Sequence, residues 1–194
     1  MQKKEIILIG GGGHCKSCID VIEQEGLYSI AGIVDLPGKK GEKILGYEIF
    51  ANDDDISKVA KDYENFFITI GHLGSPQRRI ELFSLLKELN KTFPVIISPN
   101  AYISKHAKIN SGTIVMHQTV INADSKIGKN CIINNKALIE HDAIIGDHCH
   151  ISTGAIVNGG VEVGQNTFYG SGAISKQYVS IPENSFIKAN SIVK

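Results

Sequence analysis

A histidine set between two acids, Glu140-His141-Asp142, is the strongest chemical signal in the chain. A carboxylate on one ring nitrogen fixes the imidazole tautomer and leaves the other nitrogen to take a proton. His141 therefore reads as a general base and Asp142 as the group that orients it. Four more histidines share the C-terminal half: His106, His117, His148 and His150. His117 stands in the same local slot as His141, but it lacks flanking acids and lies on another face of the repeat. A second concentration of unusual residues is N-terminal. Four glycines, Gly10 to Gly13, precede His14, and an acid follows at Asp35. Such a turn lets backbone approach a ligand and aims helix N–H groups at an anion. Asp35 ends an apolar run, where α/β folds bind a ribose or base. Cys15-x-x-Cys18 has redox spacing, but Lys16 and Ser17 fill the gap instead of Pro or Gly. The pair reads as small apolar helix residues, and no second cysteine pair completes a zinc site. No serine or cysteine has a convincing base beside it, so nothing points to a covalent intermediate.

The glycine turn needs a strand before it and a helix after it. Glu5–Gly10 is a short run rich in Ile and Leu. Cys15–Glu25 has helical spacing, with Ile19, Val21 and Ile22 apolar. Ser29–Asp35 and Phe66–Ile70 are further apolar runs, the second ending at Gly71. Ser75–Asn90 starts with Ser-Pro and carries Ile80, Leu82, Phe83, Leu86 and Leu89 near one face of a predicted helix. Strands alternating with helices imply a parallel sheet of Rossmann-like type. The glycine run is not a clean G-x-G-x-x-G, because Cys15 holds the last glycine slot. A mononucleotide or nucleotide sugar suits it better than a dinucleotide.

The other half is set by a period of six. From Ile97, every sixth residue is aliphatic: Ile103, Ile109, Val115, Ile121, Ile127, Ile133, Ile139, Ile145, Ile151, Val157 and Val163. A run that long in one frame lies far outside composition. The slot two residues earlier is small, as at Ala107, Thr113, Ser125, Cys131, Ala143, Cys149 and Ala155, and Gly128, Gly146 and Gly164 recur three repeats apart. A six-residue unit is one short strand and a turn, which cannot bury its aliphatic residue alone. Three units close a triangular coil, and stacked coils share one core. Cys131 and Cys149 should stack as core fillers without a disulfide. The series breaks at Tyr169, and Phe168 and Ile174 are expected to continue it with a one-residue shift. The fold class is thus a Rossmann-like α/β domain over residues 1–95, followed by a hexapeptide parallel β-helix over 96–194.

Composition narrows the partners. Twenty basic and twenty acidic residues cancel, so no global field draws nucleic acid or an anionic membrane. The first apolar run is too short for a signal peptide, and no stretch could span a membrane. With four cysteines in 194 residues, a reducing cytoplasm is expected.

Two segments, IILIGGGGHCKSCIDVI and NNKALIEHDAIIGDHCHIS, make the chain resemble the bacterial sugar O-acyltransferase family of NeuD-like sialic-acid O-acetyltransferases and PglD-like UDP-4-amino-sugar N-acetyltransferases. The resemblance spans nearly the whole length. It implies a left-handed β-helix, against the right-handed rule for ordinary parallel crossovers. It further implies acetyl-CoA as co-substrate, a UDP-linked amino-deoxy sugar as acceptor in bacterial glycan biosynthesis, a homotrimer with sites between prisms, and no metal. By the same resemblance His141 is the base and Asp142, where relatives usually carry Glu, orients it. His150 contacts the thioester, and Ser171 and Ala189 lie near the far end of CoA. Gly12, Gly13 and His14 bind the nucleotide sugar, with Asp35 and Gly71 near it. The chain departs from the family at Asn190-Ser191-Ile192-Val193-Lys194, where relatives often have Gly-Val-Pro-Ala-Lys.

Amide formation from a thioester then needs only a base for the attacking amine and a donor for the oxyanion, a backbone N–H or neutral His150. Three rival readings stand beside this one. Sialic-acid O-acetylation would use the same base on a hydroxyl. A zinc lyase on this fold needs histidines at matched coil positions, and His106 and His141 miss the required spacing by one. A non-catalytic scaffold that binds sugar nucleotides would share the repeat without the chemistry.

Overall fold

In a computed structural model, which describes residues 3–194, the chain forms two units. One comprises the residues up to Gly71 together with Gln77–Pro94; the other comprises His72–Pro76 and Val95–Lys194. No helix among the described residues is long and apolar enough to cross a membrane.

The first unit is a five-stranded sheet with flanking helices. Its elements are β1 (Lys4–Ile9), α1 (Gly13–Glu25), β2 (Tyr28–Asp35), β3 (Lys43–Ile44), β4 (Tyr47–Asn52), α2 (Ile56–Asp62), β5 (Asn65–Ile68) and α3 (Gln77–Glu88). Strand order is β3-β4-β2-β1-β5; β3 pairs antiparallel with β4 and the rest are parallel. Ile6 to Ile9 are fully buried, as strands covered on both faces require. Helix α1 buries Cys15, Cys18, Ile19, Val21 and Ile22, and ends at Gly26, whose φ of 73° is a left-handed cap. It starts two residues before the predicted Cys15. Helix α3 is shorter than the predicted Ser75–Asn90; Asn90, at φ 57°, turns the chain out of it. The chain feeds β2 on one side of β1 and β5 on the other, so the carboxyl ends of β1 and β5 border a topological switch point.

The second unit is a left-handed β-helix of two-residue strands in three parallel sheets, one per face. Face A carries Tyr102–Ile103, Val120–Ile121, Leu138–Ile139, Ile156–Val157, Ile174–Ser175 and Ile192–Val193. Face B carries Lys108–Ile109, Lys126–Ile127, Ile144–Ile145, Glu162–Val163 and Ser180–Ile181. Face C carries Ile96–Ile97, Ile114–Val115, Ile132–Ile133, His150–Ile151, Phe168–Tyr169 and Phe186–Ile187. The second residue of each strand points inward, and Ile121 through Ile151 in this series are at most 2% exposed. Each such side chain contributes about 1.5–3 kcal/mol by leaving water. Coils are tied by backbone bonds, such as Leu138 N–H to Ala155 O and Glu140 N–H to Val157 O, each at 2.9 Å.

The predicted one-residue shift after Val163 does not occur. Tyr169 pairs with Ile151 and Phe168 with His150, in the unbroken register. Tyr169 fills the aliphatic slot at 0% exposure, its hydroxyl donating to Ile156 O at 3.1 Å, and the next inward slot holds the small Ser175. A large side chain followed by a small one conserves core volume, so the frame survives two non-aliphatic residues.

The turns carry a second period. Gly112, Gln118, Asp124, Asn130, Lys136, Asp142, His148, Gly154, Gly160, Asn166, Gly172, Tyr178, Asn184 and Asn190 all have φ between 52° and 72°. From Gly112 onward each hexapeptide therefore ends in a left-handed residue, which is why Gly, Asn and Asp dominate this slot. Cys131 and Cys149 are free and stacked. Their thiols donate to Gly146 O and Gly164 O, 3.2 Å in each case.

The three faces differ outwardly. Face A presents Tyr102, Val120, Leu138, Ile156, Ile174 and Ile192 in one in-register row. Tyr102 is 59%, Ile174 39% and Ile192 66% exposed, a continuous apolar stripe. Face B presents Lys108, Lys126, Ile144, Glu162 and Ser180, an ordinary solvated row.

Candidate active site

His141 and Asp142 sit on the turn joining face A to face B. His141 Nδ1 lies 2.7 Å from Asp142 Oδ2, so Nδ1–H donates to the carboxylate and Nε2 keeps a lone pair for an incoming proton. Both side chains are about half exposed, at 51% and 57%. Asp142 is the left-handed turn residue, with φ 60°. A short acid fits that backbone and reaches the ring from the next position. Glu140 does not contact the ring; its Oε2 accepts from Asn122 Nδ2 at 2.9 Å, one coil below. Above the imidazole lies Gly159, where a Cβ would come within 2.7 Å of His141 Cε1 and 2.8 Å of Nε2.

His150 lies elsewhere. It belongs to face C, which is opposite the corner where faces A and B meet, so one chain does not bring it to His141. The side chain is buried, at 7% exposure. Nδ1 is 2.9 Å from His72 O, and Nε2 is 3.2 Å from Asn134 Nδ2. Asn134 Oδ1 accepts from Asn135 N–H at 2.8 Å, which fixes the amide orientation. The ring is thus neutral with its proton on Nδ1, and both nitrogens are engaged within the chain. Phe168 packs edge-on against it, with ring centroids 5.2 Å apart.

Ser171 and Ala189 are stacked at the third corner, between faces C and A. Ser171 Oγ meets Ser152 Oγ at 2.9 Å, and Ser171 O accepts from Asn190 N–H. Ala189 backbone lies directly over Gly170, leaving no room there for a side chain. His117, the rival base, is instead held by Ser98, with Nδ1 and Oγ 2.7 Å apart.

In the first unit, the predicted substrate residues gather at the carboxyl ends of the strands. Gly12 caps α1 and Gly13 begins it; a Cβ on either would meet nothing within 4 Å, so the space before the helix N-terminus is open. Gly71 approaches His14, where a Cβ would be 3.6 Å from His14 Cβ. Within Gly10 to Gly13, only Gly10 is required by backbone, with φ 104° and Ile70 against it. Asp35 lies beside Gly11 and accepts from Lys39 Nζ at 2.7 Å. That carboxylate raises the Lys39 pKa, keeping a cation at the rim. Sequence reasoning missed Arg79. It is 2% exposed, and its guanidinium donates to Ile68 O and Ile70 O, fixing the loop that ends at Gly71. Cys15 and Cys18 are fully buried. Burial pushes the Cys15 thiol up to about 11 and Cys18 higher still, which excludes a reactive thiolate pair. Among the described residues, no three His, Cys, Asp or Glu side chains cluster as a metal site.

Two family models match the chain: the PglD N-terminal domain over residues 5–86, and the bacterial transferase hexapeptide, six repeats, over 124–159. No curated protein sequence matches it. Among solved structures, PerB from Caulobacter crescentus, in complex with CoA and GDP-perosamine, is 30% identical. The match covers 98% of this chain and 88% of that one, with a TM-score of 0.90. A variant of perosamine N-acetyltransferase from the same organism, with one histidine replaced by asparagine, is 29% identical over the same shares at a TM-score of 0.91. The acetyltransferase domain of PglB from Neisseria gonorrhoeae shares the fold, at 24% identity and a TM-score of 0.89 over 99% and 92% of the two chains. The chain belongs to the PglD-like family of bacterial hexapeptide acetyltransferases.

Proposed function

We propose that this enzyme moves an acetyl group from acetyl-CoA to the amino group of a nucleotide-linked amino sugar, directly and with His141 as the base. The observation that carries this is the His141–Asp142 pair, an exposed imidazole with one nitrogen bonded to a carboxylate at 2.7 Å. Nε2 takes the proton as the amine attacks the thioester carbon. The tetrahedral intermediate collapses and the C–S bond breaks as the imidazolium passes that proton to the sulfur, so CoA leaves as the thiol and His141 is neutral again. Asp142 holds the tautomer and stabilises the imidazolium.

Assembly follows from the stripe on face A. If three copies turn that face toward a common axis, the row of apolar side chains is buried. The A–B corner of one copy, with His141, then meets the C–A corner of the next, with Ser171 and Ala189. Acetyl-CoA lies in that groove, its far end by Ser171 and Ala189 and its thioester by His141 of the neighbour. The assembly we propose is a homotrimer, with three such grooves around one axis. His150, with both nitrogens engaged, enters this reading as a neutral wall of the groove; the oxyanion donor is then a backbone N–H.

The glycine turn, His14, Gly71 and Asp35 receive the sugar nucleotide, with diphosphate at the α1 N-terminus and the nucleoside toward Asp35 and Lys39. UDP is the nucleotide we expect. GDP is the second reading, favoured by the 30% identical relative solved with GDP-perosamine. Thiol release from acetyl-CoA should be followed with a UDP-linked 4-amino sugar, GDP-perosamine and a sialic acid in turn. Turnover with either sugar nucleotide and not with the sialic acid supports N-acetylation. Turnover with the sialic acid alone makes the acceptor a hydroxyl, and none with any of the three sinks the reading.

A further inference from the structure

Gly159 occupies the place where a side chain would collide with the base. It is buried against the imidazole, one coil beyond His141 in the same corner column. Its φ lies outside the left-handed region, so the backbone there accepts any residue. The three heavy atoms nearest to such a Cβ all belong to the His141 ring: Cε1, Nε2 and, at 3.4 Å, Nδ1. The contrast with its neighbour is sharp. Gly160 has φ 65° and lies under the Tyr178 ring, so there both backbone and packing demand glycine.

We propose that Gly159 is a positioning residue for the proposed reaction: the missing side chain is the seat on which the His141 ring rests. The seat acts on the two things the base needs. It sets the tilt that keeps Nδ1 on Asp142 Oδ2, and it leaves Nε2 uncovered toward the groove. An alanine methyl would take up the volume now held by Cε1 and Nε2. The ring, at the far end of an exposed side chain, can swing aside at little cost to the fold. The fold is then kept and the geometry lost, and a displacement of about 1 Å can lower a rate about a hundredfold. Because alanine retains the backbone N–H, any loss is not the removal of a backbone hydrogen-bond donor.

This rests on His141 being the base, and the test separates the two claims. Gly159→Ala, His141→Ala and the double variant are compared with the wild-type protein for kcat, KM of both substrates, thermal midpoint and oligomeric mass. The expected result for Gly159→Ala is a fall in kcat of tenfold to a hundredfold, KM values within about threefold, and native midpoint and mass. Added to His141→Ala, the same change should cost nothing further, because the ring it acts through is gone. A histidine Cε1–H spectrum should show the His141 resonance, identified by its absence in His141→Ala, moved in Gly159→Ala. Wild-type kcat in Gly159→Ala overturns the proposal. So does an equal loss in both backgrounds, or loss of folding, since the methyl would then be striking backbone. Full activity in His141→Ala instead overturns the base assignment beneath it.

Discussion

At the scale of single residues, two groups of like chemistry have opposite fates. His141 and Asp142 are solvent-facing and bonded to each other, whereas Cys15 and Cys18 are sealed in the first core. Asp142→Asn keeps the shape and removes the charge that stabilises the imidazolium. We expect kcat to drop at least tenfold with the thermal midpoint unchanged, measured by thiol release and by calorimetry. The Cys15 proton is held more tightly in the folded chain than in the unfolded one, because burial opposes the thiolate. Its contribution is full below pH 9 and is lost as pH rises toward 11, a change of order 2 kcal/mol. Urea unfolding at both ends of that window, for the wild type and Cys15→Ala, should show the smaller loss in the variant. The dyad was readable in the sequence because its members are adjacent. The seat at Gly159 was not, because a glycine matters there only through a ring one coil away.

At the scale of elements, the period of six gave the faces of the solenoid directly, since each inward aliphatic residue occupies one repeat. The apparent shift at Tyr169 was misread because a hydrophobicity pattern cannot see that a tyrosine and a following serine can fill a slot jointly. The left-handed turn residue of each repeat left a second, weaker trace in the Asn, Asp and Gly that recur there. The glycines at 128, 146 and 164 are a different case. A Cβ on Gly146 would lie 2.6 Å from Gln165 N, and the other two meet backbone as closely. These residues let successive coils close up at the B–C corner. Gly146→Ala should therefore destabilise by about 1–3 kcal/mol, the range for forced overpacking, in chemical denaturation monitored by circular dichroism. In the first unit, β1, α1 and β2 were plain from apolar runs and glycine. The β3–β4 hairpin and α2 were not, because elements this short carry little periodic signal even where they bury residues such as Ile49 and Ile56.

At the scale of the molecule, face A is the surface on which the proposed assembly turns. Its outward row is apolar from Tyr102 to Ile192, while face B carries Lys108, Lys126, Glu162 and Ser180 around a single isoleucine, Ile144. Ile156→Lys puts a charge in the middle of that stripe. Light scattering is expected to give the mass of three chains for the wild type and of one for the variant, with activity lost and the far-ultraviolet spectrum retained. The sequence could not give this, because the outward residue of each strand is ignored by a search for the inward one. It also could not show that His141 and His150, nine residues apart, stand on opposite sides of one coil.

The base itself is the most direct test. The turnover number of His141→Ala, at saturating acetyl-CoA and sugar nucleotide and with trimer mass verified on the same sample, should fall by about 10²–10⁴, the usual worth of a positioned general base. A turnover number within a few-fold of the wild type would contradict the account, whatever the fate of its neighbours.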